Sequence, residues 1–120
     1  ALFLVALAEG LDEDPRGALE RAAARFIRLS REKGAAPFLR MTAALSDGQR
    51  LYAVRYATDA AAPSLYHRWS DSRQGRAVVS EPLEAGEGGW EEVPPYSFCT
   101  FDGATAMVED FMPCSLAAVA

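Results

Sequence analysis

Between the runs PFLRMTAAL and RLYAVRYA stands the tetrapeptide Ser46-Asp47-Gly48-Gln49. An Asp-Gly step flanked by alternating apolar residues is a strong short-range signal for a β-hairpin. With Ser46 opposite Gln49, the register follows. Leu39, Met41, Ala43 and Leu45 face Tyr56, Val54, Tyr52 and Arg50 on one side of the pair, a nearly all-apolar face expected to carry a helix. Phe38, Arg40, Thr42 and Ala44 face Ala57, Arg55, Ala53 and Leu51 on the other. That second face is half apolar and calls for a cover of its own, as sheets buried on both sides do. The same register sets Arg40 directly opposite Arg55. The two like charges must then splay to solvent or share an acidic group; a bulged turn would shift the register and separate them.

The helical cover is written upstream. Asp14 is a good N-cap and Pro15 suits the first helical position. Leu19, Ala22, Ala23, Phe26 and Ile27 then recur at helical spacing. Arg21, Arg25 and Arg28 form the opposite, solvated face, and Gly34 is a fitting stop. Residues 1–9, ALFLVALAE, read as the end of a buried helix closed by Gly10. They carry no cap, no initiator Met and no signal-peptide flanks, and are too short to span a membrane. The expectation is a chain that enters a longer protein partway along.

Downstream, SLYHRW alternates, with Leu65, His67 and Trp69 on one side. RAVVS and SFCTFDG read as strands, and AMVEDFM as a short last strand or turn. In RAVVSEPLEAGEGGWEEVPP the strand must stop at Ser80-Glu81-Pro82, because proline removes a ladder donor and holds Glu81 extended. Gly86, Gly88 and Gly89 let the loop reverse, and Trp90 is expected to pin it. Residues 111–120 have no clear periodicity and read as a disordered or appended tail.

Composition narrows the function classes. A net charge of −5 and a pI near 4.8 argue against nucleic acid or an anionic membrane as partner. Two cysteines, Cys99 and Cys114, and one histidine, His67, are too few for a zinc site or a disulfide scaffold. Adjacent strand residues point to opposite faces, so Ser80 and Glu81 cannot act on each other as nucleophile and base. His67 with Asp71 and a serine could be drawn as a triad, but a lone histidine in an alternating strand is more often packed. Cys99, inside an apolar strand pattern, reads as an inert thiol. Asp12, Glu13 and Asp14 suit helix capping better than a metal. No phosphate loop and no dinucleotide fingerprint is present. By pattern alone the chain is a two-layer α+β piece.

In their order, ALFLVALAEGL, DPRGALERA, TAALSDGQRLYAVRYA, SLY, AVVSEPL and W-EEVPP resemble the C-terminal half of class II glutamine amidotransferase domains over residues 1–102. The likeness is to small stand-alone bacterial members such as the ergothioneine-pathway γ-glutamyl amidohydrolase. It implies an N-terminal-nucleophile hydrolase fold, two antiparallel sheets between helical layers (αββα). Residues 1–120 would form the C-terminal part of one such domain. It further implies hydrolysis of the side-chain amide of glutamine or a γ-glutamyl compound by an N-terminal cysteine whose own amine is the base.

This chain begins with Ala1, so the nucleophile, the substrate-gripping arginine and the oxyanion donors have no matching positions here. No catalytic residue, metal or cofactor is expected in it, and alone it should be inactive. Ser80, Glu81 and Arg55 are the candidates near the pocket wall, with Glu81 able to neutralise Arg55 or Arg40. The partners implied are the glutamine-type substrate and the absent half of the domain, as the same polypeptide or a separate chain, in the cytoplasm. The missing half would also cover the hairpin's second face. The rival reading is a non-catalytic α+β binding module whose second sheet face meets a partner. A small unrelated enzyme using His67 or Cys99 is the remaining alternative.

Overall fold

A computed structural model of the chain describes residues 1–34, 39–59, 61–82 and 88–113. Two compact units emerge: Ala1–Leu39 with Phe111–Ala120, and Arg40–Asp110. The fold is α+β, with two helices and antiparallel sheets.

In the first unit, α1 spans Leu2–Ala8 and α2 spans Pro15–Glu32. No side chain caps α1, as its sequence predicts, and Gly10 after it takes φ +93°. Asp14 caps α2 by accepting a hydrogen bond from the Gly17 N–H at 3.1 Å, with Pro15 opening the helix. Gly34 follows the last turn at φ +76°, a left-handed value open to glycine at little cost. Leu19, Ala22, Ala23 and Ile27 are buried, whereas Phe26 is 43% exposed. The expected solvated arginine face is partly engaged. Arg21 donates to the Glu9 carbonyl at 2.8 Å and Arg25 to the Glu9 carboxylate at 3.2 Å, clasping the end of α1. Phe111 and Pro113, where the expected tail begins, are buried, and the Met112 N–H bonds Glu20 at 2.9 Å. Phe38, Gly86, Cys114 and the rest of that tail lie outside the described residues.

The second unit holds seven strands: β1 Arg40–Ser46, β2 Leu51–Ala57, β3 Tyr66–Ser70, β4 Gly75–Val79, β5 Glu91–Glu92, β6 Ser97–Asp102 and β7 Thr105–Asp110. One sheet has the order β1-β2-β6-β7 and the other β4-β3-β5.

The hairpin forms where Asp47-Gly48 predicts, but its register differs. Ser46 pairs with Leu51, so the loop has four residues, 47–50. The cause is Asp47, whose Oδ1 accepts from the N–H groups of Gln49 (2.9 Å) and Arg50 (2.7 Å), while Ser46 Oγ accepts from Gly48 N–H (3.1 Å). Such Asx-type bonds satisfy the backbone of a longer loop locally. Arg40 therefore stands opposite Ala57 and Arg55 opposite Thr42, and the expected Arg40–Arg55 confrontation does not occur. Each has a carboxylate of its own: Arg40 meets Asp59 at 2.8 Å and Arg55 meets Glu92 at 2.8 Å. The shift is by two residues, so the same side chains keep the same faces.

Every residue of β2 from Tyr52 to Ala57 is buried, the signature of a strand covered on both faces. On one face Tyr52 packs on Phe98 with ring centroids 5.8 Å apart. On the other, Ala53, Cys99 and Phe101 share a core with Leu65, Val93 and the half-buried Val78 of the second-sheet region. The cover expected from a missing half is thus supplied, over this part of the sheet, by the chain's own β3–β5 region.

Candidate functional site

Arg55 and His67, the buried basic side chains among the described residues, organise the second unit's polar interior. Arg55 projects from β2 toward the other sheet. Its Nε donates to the Pro63 carbonyl (2.8 Å), Nη1 to Glu92 Oε1 (2.8 Å) and the Val93 carbonyl (2.7 Å), and Nη2 to the Ala62 carbonyl (3.2 Å). A guanidinium with these four commitments is a staple between sheets. Ser80 and Glu81 are exposed just past the end of β4, and the Ser80 carbonyl accepts from Ser64 Oγ at 2.9 Å. The carboxylate on Arg55 is Glu92, from β5, in the position that the sequence reading offered to Glu81.

A second cluster forms at the β3–β4 hairpin. The register sets Trp69 opposite Arg76 and His67 opposite Val78, so His67, Trp69 and Arg76 share one face. Arg76 Nη1 lies 2.8 Å from His67 Nδ1. Arginine can only donate, so Nδ1 accepts and the imidazole proton sits on Nε2. Nε2 is 3.7 Å from Glu91 Oε2, too far for a hydrogen bond. Burial, with Arg76 beside it, pushes the His67 pKa down, against the opposing pull of Glu91. The Arg76 guanidinium lies over Phe101 at 4.4 Å and near Trp69 at 5.8 Å. Trp69 donates through Nε1 to Asp71 Oδ1 at 2.8 Å, so Asp71 serves the indole and not the histidine, and the drawn triad is not assembled.

Around this hairpin lies a cleft of about 220 Å³, lined by His67, Arg68, Trp69, Arg76 and Glu91 among others. Arg76 also lines two adjoining clefts of about 200 and 410 Å³. Trp90, expected to pin the Gly-rich loop, is half-buried with the Arg68 guanidinium 4.6 Å over its ring.

Cys99 is fully buried, and burial pushes its thiol pKa up, so it is held as an inert thiol. Among the described residues no group of three or more His, Cys, Asp or Glu is placed to hold a metal, and no helix is long and apolar enough to cross a membrane. Arg55 and Arg76 brace the strands around them. In the sequence Arg76 reads only as the first residue of a strand. Its signal was latent in the turn length, because a four-residue turn over 71–74 puts Arg76 on the face of His67.

No family model matches the chain. No curated protein matches it either. A solved structure does: the glutamine aminotransferase class-II domain protein of Silicibacter pomeroyi, with 55% sequence identity and a TM-score of 0.85. The match covers 93% of this chain, which spans about half the length of that one, 50%. With 55% identity over 93% of its residues, the chain is a relative of the class II glutamine amidotransferase domains.

Proposed function

We propose that residues 1–120 are the C-terminal part of a single class II glutamine amidotransferase domain, and that the intact protein hydrolyses the side-chain amide of glutamine or of a γ-glutamyl compound. The nucleophile in this reading is an N-terminal cysteine upstream of Ala1, activated by its own α-amine. This chain supplies the sandwich that supports the pocket wall. The observation that carries the reading is the 55% identity over 93% of the chain to the Silicibacter pomeroyi domain protein. The chemistry of the described residues fits it: Cys99 is buried, and the basic nitrogen of His67 is occupied by Arg76.

The test uses the full-length protein. Incubated with glutamine, and separately with γ-glutamyl compounds, it should release glutamate. Replacing the mature N-terminal cysteine with alanine should abolish that release, and residues 1–120 alone should show none. An intact protein carrying that cysteine and hydrolysing no glutamine-type amide would overturn the reading.

A further inference from the structure

We propose that the 220 Å³ cleft at the β3–β4 hairpin binds a small organic carboxylate, with Arg76 as its counter-charge. Three other arginines of this unit meet a carboxylate: Arg40 with Asp59, Arg50 with Asp102 and Arg55 with Glu92. Arg76 is different. Its described partners, His67 Nδ1 at 2.8 Å and the Ala104 carbonyl at 3.1 Å, are both neutral acceptors. No carboxylate among the described residues lies within ion-pair distance of it, and its Nε–H is buried without a partner. A half-buried cation without a counter-ion, one of its N–H groups shut off from water, is stabilised by an anion that reaches it. Consistent with that, burial draws the Arg76 pKa below its ordinary value, despite the pull of Glu91.

The surroundings hold that charge at the cleft wall. His67 and Ala104 fix the guanidinium edge-on, and Phe101 supports its face at 4.4 Å. One N–H on each Nη remains beyond these bonds, a pair suited to a carboxylate. The lining is mainly polar, and Trp69, Ala104 and Ala106 supply its smaller apolar part, enough for a short tail. Four ionisable groups line it: His67, Arg68, Arg76 and Glu91. Glu91 is the one acidic member, and its repulsion weighs more heavily on a dianion than on a monoanion. A monoanionic carboxylate therefore fits better than a phosphate. Nothing in this argument uses amide hydrolysis, so the site stands or falls separately from the proposed reaction.

Trp69 in the cleft wall is an intrinsic reporter. Sodium propionate titrated into the intact protein at constant ionic strength, with sodium chloride as the exchanged salt, should change the tryptophan fluorescence saturably. R76Q should weaken that binding roughly tenfold or more, the range for a lost charge-assisted hydrogen bond. R76K keeps the charge without the fork and should fall between; it also replaces R76Q should that variant fail to fold. E91Q should tighten propionate binding. The proposal is overturned if propionate gives no saturable change, if chloride reproduces it, or if R76K binds as the unaltered protein does. Phosphate binding more tightly than propionate would overturn the carboxylate assignment.

Discussion

Arg55 carries a charge into the interior of the two-sheet unit, where it is held by three carbonyls and one carboxylate. Val93 and Arg55 are buried whereas the Glu92 side chain is 55% exposed, so the two ends of the staple differ in cost. R55A should destabilise the protein by about 3–5 kcal/mol in urea denaturation, because it leaves three carbonyls without their donor and empties the space that the side chain fills. E92A should cost about 1–3 kcal/mol, more than an exposed pair, because it leaves the buried Arg55 charge with carbonyl acceptors alone. Glu81, exposed past β4, should show no coupling to Arg55 in a double-mutant cycle. His67 makes a prediction about pH. Its folded pKa lies below the unfolded value because burial and Arg76 disfavour the imidazolium. Its share of stability is thus complete above the unfolded pKa of about 6.5 and is lost as pH falls below that toward the folded value. H67Q should flatten the stability profile in that window, read from urea midpoints at stepped pH. The sequence made both residues visible, Arg55 as a strand arginine and His67 as a packed histidine. It could not name Glu92 or Arg76 as their partners, because those partnerships depend on contacts across sheets and across a turn.

At the scale of elements, the strongest local signals name an element but not its exact pairing. Asp14-Pro15 announces α2, and Asp47-Gly48 announces the β1–β2 hairpin. The register escaped because a two-residue Asp-Gly turn and a four-residue loop begin with the same letters. The choice between them is made by Asp47, whose two oxygens gather the Gln49 and Arg50 amides and the Tyr52 hydroxyl at 2.7–2.9 Å. Those bonds, led by Arg50 N–H, hold its carboxyl below the usual carboxylate range. A depressed folded pKa means the contribution is present above the unfolded value of about 4 and is lost as pH falls through the folded one. Hydrogen exchange at Gln49 and Arg50 should therefore quicken in D47A at neutral pH. In the unaltered protein the same amides should lose protection only on acidification below about pH 4.

On the scale of the whole molecule, the α+β class and most of the strands were legible from alternation and turn chemistry, but the order of strands in the sheets was not. The division into two sheets came from the family resemblance and not from alternation. Period-two patterning says which residues share a face but is silent on which strand is a neighbour, and β5, at two residues, leaves almost no pattern. The second face of the first sheet therefore looked unprovided for, when Leu65, Val78 and Val93 already pack there. The same limit hid the cleft, since Arg76 joins His67 only once β3 and β4 are paired. The Arg55 staple has a further consequence for how this unit opens. The guanidinium belongs to β2, but its carbonyl partners, Ala62, Pro63 and Val93, flank the strands of the other sheet. Peeling the sheets apart would leave the charge without its acceptors, so partial opening is penalised at its first step. The two sheets should behave as a single cooperative unit of native-state exchange, with β3 and β6 amides released together by the same opening event.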